Sequence, residues 1–251
     1  MSSKNFVPIS AALLLTGSAS AAIIVTDDFN GANVGLNGAA ADVGGTWTAG
    51  SNFSADGSGA STGGSGDDNS AFIGVAALEA GKVYTISATL TELSGNFFYV
   101  GLATAAPTNT DERWQATQGN SSVNIEWRNL GLSQDFSLHT QLGGSETRHG
   151  TTSLTTTPSL DPSTLSLVID TSSGLASSSV SLFNNGAAVT GAEGISLDLS
   201  GFAVVPAFGF GNEAGGGAWQ LNAVTYSVVP EPGALALTLL GGLLLVRRRR
   251  V

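Results

Sequence analysis

The stretch Ser122–Leu142 reads "SVNIEWRNLGLSQDFSLHTQL". Its first half alternates Val123, Ile125 and Trp127 against Asn124, Glu126 and Arg128. Its second half alternates Phe136, Leu138 and Leu142 against Ser137, His139 and Gln141. A period of two is the signature of a strand with one buried face. As neighbours joined through the loop Leu130 to Gln134, the two strands would present one shared polar surface, and its groups suit sugar hydroxyls. Polar residues turned outward from an antiparallel pair are ordinarily solvated. Trp127 falls with Val123 and Ile125, which assigns it to the core.

The same pattern recurs along the chain. "KVYTISATL" (Lys82–Leu90) puts Tyr84, Ile86, Ala88 and Leu90 on one face, and "TLSLVID" (Thr164–Asp170) does likewise with Leu165, Leu167 and Ile169. "NFFYVGLA" (Asn96–Ala103) is apolar on both faces, as a central strand would be. Asn185-Gly186 between "SVSLF" and "AAV" is a hairpin signal. Gly and Ser cluster at 57–66, and Gly215–Gly217 marks another loop. Helical periodicity is missing between the terminal segments, so the body is expected to be all-β, a sandwich or barrel.

The two ends have a different character. "MSSKNFVPISAALLLTGSASAA" (Met1–Ala22) places Lys4 before an apolar stretch, Val7–Leu15, and closes on Ala19-Ser20-Ala21. Small residues at Ala19 and Ala21 suit signal peptidase after passage through the Sec export machinery. The chain ends "VVPEPGALALTLLGGLLLVRRRRV" (Val228–Val251). A helix over 233–246 is roughly 20 Å long against a hydrocarbon core of roughly 30 Å. Arginine stems snorkel and extend the usable span. A buried helix fits less well, because four adjacent guanidinium groups follow at Arg247, Arg248, Arg249 and Arg250. Those arginines are expected to stay cytoplasmic, since translocating each costs about 2.5–3.5 kcal/mol.

Val229, Pro230, Glu231 and Pro232, followed by a short apolar helix and an Arg cluster, resemble the PEP-CTERM sorting signal of Gram-negative bacteria. The resemblance implies an exosortase as partner, an inner-membrane stage before sorting to the cell surface or matrix, and a link to exopolysaccharide and biofilm. A simple C-terminal anchor is the other reading. Between the ends, "TDDFNGANVGLNGAAADVGGTWT" (Thr26–Thr48) looks like the opening of bacterial concanavalin A-like or laminin G-like jelly rolls. "LSLVIDTSSGLASSSVSLFNNGAAV" and "AFGFGNEAGGGAWQLNAVTYSV" are similar to their later strands. Leu221-Asn222-Ala223 stands where that family often has Asp-Asp-Val. The implied organisation is a signal peptide over 1–22, a single jelly-roll β-sandwich over 23–228, and a sorting signal over 229–251. Within the last, the motif is 229–232, the transmembrane helix 233–246 and the Arg cluster 247–250.

Composition narrows the function. The whole chain has nine basic and nineteen acidic side chains. Once the terminal segments take Lys4, Arg247–Arg250 and Glu231, the body keeps four basic against eighteen acidic, a net charge of −14. Such a surface repels nucleic acid and anionic lipid, and suits neutral polysaccharide or anionic polysaccharide bridged by cations. There is no cysteine, which removes thiolate zinc sites and cysteine nucleophiles. "GASTG" (Gly59–Gly63) has the spacing of a nucleophile elbow, but Ser61 is read in a Gly/Ser-rich loop without the required strand and helix. Jelly-roll glucanases use two carboxylates about 5–9 Å apart, and their Glu-x-Asp-x-x-Glu cluster is missing here. The expectation is therefore a non-enzymatic surface or matrix protein that binds glycan. The alternatives are a glycan hydrolase or lyase with dispersed acids, and a structural protein without ligand. The ligand face is assigned to Asn124, Glu126, Arg128, His139 and Gln141, with Trp114 as stacking aromatic. No cofactor is required. Asp27 and Asp28 offer oxygen ligands to a structural Ca²⁺, as do Asp67, Asp68 and Asn69.

Overall fold

The computed structural model describes residues 20–31, 34–62, 69–93, 97–110, 120–129, 134–154, 163–204, 206–212 and 219–230. Residues Ala21–Pro230 form a compact unit. Its strands are β1 (Ala22–Asp27), β2 (Val34–Gly35), β3 (Thr48–Ala49), β4 (Phe53–Ala55), β5 (Ala60–Thr62) and β6 (Asn69–Gly74). Then come β7 (Lys82–Leu93), β8 (Phe97–Ala103), β9 (Ser122–Asn129), β10 (Gln134–Leu142), β11 (Ser145–Leu154) and β12 (Ser163–Asp170). The last are β13 (Ser178–Asn184), β14 (Ala187–Ala188), β15 (Ile195–Leu197), β16 (Ala207–Asn212) and β17 (Trp219–Pro230). Two short 3₁₀ turns, Leu175–Ser177 and Ser200–Ala203, are the helical elements among the described residues.

Two antiparallel sheets pack face to face. The ten-stranded sheet runs β14-β13-β12-β7-β17-β5-β4-β2, with β1 paired to β17 and β15 to β13. The seven-stranded sheet runs β11-β10-β9-β8-β16-β6-β3, so the doubly apolar "NFFYVGLA" strand is central. The inner faces interlock through aromatic rings that cross the gap. Phe98 on β8 lies 4.6 Å from Trp219 on β17, and Phe210 on β16 lies 5.5 Å from Phe53 on β4. Trp47 and Trp127 are buried in the same core.

The alternation read from the sequence sets this packing. Tyr84, Ile86, Ala88 and Leu90 are buried while Thr85, Ser87 and Thr89 are half-exposed. Asn185 and Gly186 both take positive φ, 47° and 81°, as the β13–β14 hairpin requires. One segment departs from expectation. Ser61 lies within strand β5, not a loop, because main-chain pairing with β4 and β17 forms that strand without apolar alternation. The sheet also continues to Pro230, pairing it with Lys82, so β17 includes the first two residues of the Val229–Pro232 motif. At the other end Ala22 pairs with Val228. Among the described residues no helix is long and apolar enough to cross a membrane. Residues 233–246, Ala19, Glu231, Pro232 and Arg247–Arg250 lie outside the described residues, as does Trp114.

Candidate functional site

The outer face of the seven-stranded sheet carries the polar residues of β9 and β10. Register brings them together as their alternation predicts: Glu126 faces Ser137, Asn124 faces His139, and Arg128 faces Asp135. The expected solvated surface is not what forms, however. Asn124, Glu126 and Ser137 are 0 % exposed and His139 is 1 % exposed. Gln141 and Arg128 are half-buried.

Two additional elements cause the burial. Strand β11 supplies Arg148 opposite His139 and Glu146 opposite Gln141. Strand β8 supplies Tyr99 opposite Glu126. Both oxygens of Glu126 are taken. Arg148 donates from Nε to Oε1 at 2.9 Å and to Oε2 at 2.8 Å. The Tyr99 hydroxyl donates to Oε1 at 3.2 Å, and Ser137 Oγ donates to Oε2 at 2.6 Å. A buried carboxylate requires this degree of compensation. Arg128 Nε stands 3.9 Å from the same carboxylate, while its Nη2 pairs with Asp135 at 2.9 Å.

Further out the network opens to solvent. Arg148 Nη2 lies 2.8 Å from Glu146 Oε1, and His139 Nε2 lies 3.1 Å from that oxygen. The His139 contact is within ion-pair distance, yet neither ring nitrogen has an aligned hydrogen bond. Burial holds the His139 pKa below the ordinary histidine value, against the pull of Glu126 and Glu146, so the ring is neutral at neutral pH. Burial pushes the Glu146 carboxyl upward, but His139 and Arg148 outweigh it and keep it below the usual glutamate value. His139 also meets Tyr99 edge-on at 5.5 Å.

Aromatic surface adjoins the network. Phe97 stacks with Tyr99 at 6.2 Å, and the Arg148 guanidinium carbon lies 5.8 Å above the Phe97 ring. Phe97 and Phe72 stay half-buried, packed against Tyr99, Ala103 and Ala207 in an apolar cluster separate from the main core. Gly101 lets β8 and β9 approach beside them: a Cβ there would collide with the Val123 carbonyl oxygen.

The segment 104–110 explains why Ala103 and Ala207 are sealed. Thr104 N donates to Ser121 O, and Ser70 N donates to Thr110 O, both at 2.8 Å. The chain therefore passes from the end of β8 to the start of β6. From Thr104 that diagonal covers two strand spacings and five residues, about 19 Å, close to the roughly 20 Å that six residues can reach. The core fills the inner side, so the segment crosses the outer face of β16.

Sequence reasoning found Asn124, Glu126, Arg128, His139 and Gln141 but missed Tyr99, Glu146, Arg148 and Phe97. The β11 strand, "SETRHGTTSL", has no apolar face to announce it. The available signal was Gly143-Gly144 directly after β10, which marks a two-residue hairpin.

Asp27, Asp28 and Asp42 converge, with one carboxylate oxygen from each lying within 4.8 Å of the others. Such a group has the donor chemistry of a hard cation site. Asp27 has a structural task as well: its Oδ2 accepts from Trp47 Nε1 at 2.6 Å and its Oδ1 from Phe29 N at 2.8 Å. Burial raises its pKa against those two hydrogen bonds. Of the second acidic candidate group, Asn69 is buried on β6 and Asp67 and Asp68 lie outside the described residues. An open cleft of about 250 Å³ near Leu142, Gly143 and Ser200 is lined by none of the polar network.

No protein-family model matches the chain, and no curated protein sequence matches it. Solved structures do resemble it. The potassium-bound carbohydrate recognition domain of Emp46p superposes with a TM-score of 0.53 at 13% identity, covering 72% of this chain and 87% of that one. A tyrosine-to-phenylalanine mutant of the same domain gives 0.54 at 14% identity, with the same coverage. The alginate lyase Aly36B gives 0.50 at 10% identity, covering 83% of this chain and 98% of that one. At these identities the likeness establishes a shared lectin-like, jelly-roll β-sandwich.

Proposed function

We propose that the chain is an exported surface or matrix protein whose sandwich binds glycan on the outer face of the seven-stranded sheet. The observation carrying this reading is the half-buried Phe97 ring beneath the Arg148 guanidinium, beside a fixed hydrogen-bonding network. An apolar ring margin next to oriented polar groups is what a sugar needs: apolar contact for its C–H groups and partners for its hydroxyls. The fold is compatible, since Emp46p presents a carbohydrate recognition domain on it and Aly36B is an alginate lyase.

Binding is favoured over cleavage by the state of the carboxylates. A glycosidase needs one protonated and one ionised acid flanking the bond. Here Glu126 and Glu146 share Arg148, and Asp135 pairs with Arg128, so each of these carboxylates is already engaged by a guanidinium group. A lyase needs an accessible base, and His139 and Tyr99 are sealed at 1 % and 0 % exposure.

The test is a glycan array probed with the full chain in detergent, followed by titration of the best ligand. Phe97→Ala is expected to weaken binding about tenfold, or about 1.4 kcal/mol. Unchanged affinity would move the site off this face. An array without any bound glycan would favour a structural protein without ligand.

The sorting part of the proposal rests on the tail: Val229, Pro230, Glu231 and Pro232 would be read by an exosortase, with Arg247–Arg250 cytoplasmic and the sandwich outside the inner membrane. Because β17 runs to Pro230, the enzyme would meet the motif directly at the sheet margin. Replacing Pro230, Glu231 and Pro232 by alanine is expected to retain the protein in the membrane of an exosortase-bearing host. Release and processing at the parent's level would leave only a simple anchor.

A further inference from the structure

We infer that Glu146 is an intramolecular stand-in, occupying a carboxylate site built from Arg148 and His139 that is suited to a hexuronate of an acidic glycan. The inference rests on the glycan-binding reading and names its ligand class.

The two edges of the Arg148 guanidinium differ. Its inner nitrogen, Nε, is fixed by Glu126, a carboxylate with 0 % side-chain exposure. Its outer nitrogen, Nη2, meets Glu146, whose side chain is 47 % exposed. The inner contact sets the orientation of the guanidinium; the outer one is a solvent-screened pair of small worth. His139 converges on the same Glu146 oxygen, although its ring is buried and has no aligned hydrogen bond. A carboxylate oxygen is thus the species that this pair of nitrogens holds.

Glu146 is also well placed to leave. It is the second residue of β11, an edge strand, directly after a turn through Gly143 and Gly144 with φ of 57° and 83°. Its departure would expose Nη2 of a guanidinium whose carbon lies 5.8 Å from the centre of the half-buried Phe97 ring. The arriving group must therefore combine a carboxylate with a flat, partly apolar body, which describes a uronic acid residue. A phosphate dianion suits the place less, because its second charge would face the remaining acids Glu126 and Asp135. The body has few other cations to offer. Among the described residues, Lys82 pairs with Glu79 and Arg128 with Asp135.

The experiment titrates the full chain in detergent with tetragalacturonate and, separately, with its methyl ester, which keeps the skeleton and loses the charge. Glu146→Gln is expected to bind the acid about tenfold more tightly than the parent, with binding of the ester unchanged. The His139 ring proton resonances are expected to shift with the acid alone. Arg148→Lys in the Glu146→Gln background, which keeps a cation for Glu126, is expected to lose the gain, because a lysine lacks the planar fork. Equal affinity of parent and Glu146→Gln for the acid overturns the inference, as does a gain that survives Arg148→Lys. If the ester binds in either case, the face remains a glycan site of another specificity. If neither probe binds, the inference falls and the array alone decides the broader reading.

Discussion

Arg148→Ala is expected to destabilise the fold by about 3–5 kcal/mol, the cost of leaving a buried charge without its partner. The residue sits on an edge strand and is partly exposed, so its surface position suggests a tolerant site. Its partner decides otherwise. Glu126 has no solvent contact, and after the substitution its partners among the described residues are the Tyr99 and Ser137 hydroxyls, with Arg128 at 3.9 Å. Those groups place the loss toward the lower end of the range. Replacing both partners, as in Glu126→Leu with Arg148→Met, is expected to cost less than Arg148→Ala alone, because no buried charge is then left without its partner. Urea denaturation of the two variants and the parent measures the difference. A loss below about 1 kcal/mol for Arg148→Ala, the range of exposed pairs, would show that water reaches Glu126.

Trp47→Ala carries the second large effect, about 3–5 kcal/mol from cavity formation in the core. Trp47 is 1 % exposed and touches Phe29, Phe208 and Phe210 at centroid distances of 6.1, 6.4 and 5.1 Å. It also donates its indole N–H to Asp27, whose other oxygen holds Phe29 at a positive φ of 54°. Removing the indole therefore empties the core and takes a donor from a buried carboxylate. Trp47→Phe separates the two contributions. It keeps much of the aromatic volume and is expected to cost about 1–3 kcal/mol, the penalty of the unpaired acceptor. The pair of variants is read by the same denaturation experiment. Equal losses for Phe and Ala would assign the whole effect to Asp27 and none to packing.

The two variants probe different layers, and the layers differ in how far the sequence announces them. Side chains on a strand point alternately to opposite faces, so a period of two is a local property. It was enough to place Val123, Ile125 and Trp127 inward and to set Asn124 and Glu126 beside Ser137 and His139, while the Asn-Gly dipeptide located the turn at Asn185-Gly186. The all-β class follows from the same rule. What covers a face is not local. Glu126 is 22 positions from Arg148 and 27 from Tyr99, and no periodicity links residues on three different strands. β11 lacks an apolar side and, among the described residues, is held at the sheet edge by its pairing with β10 alone. Segment 104–110 is unpatterned and gains its role by spanning β16. Hence the sequence alone determined which polar residues share a surface. Only the tertiary structure decided that this surface is an ionic network buried at Glu126 and open to solvent at Glu146, since burial depends on neighbouring strands and pairing depends on register between strands distant in sequence.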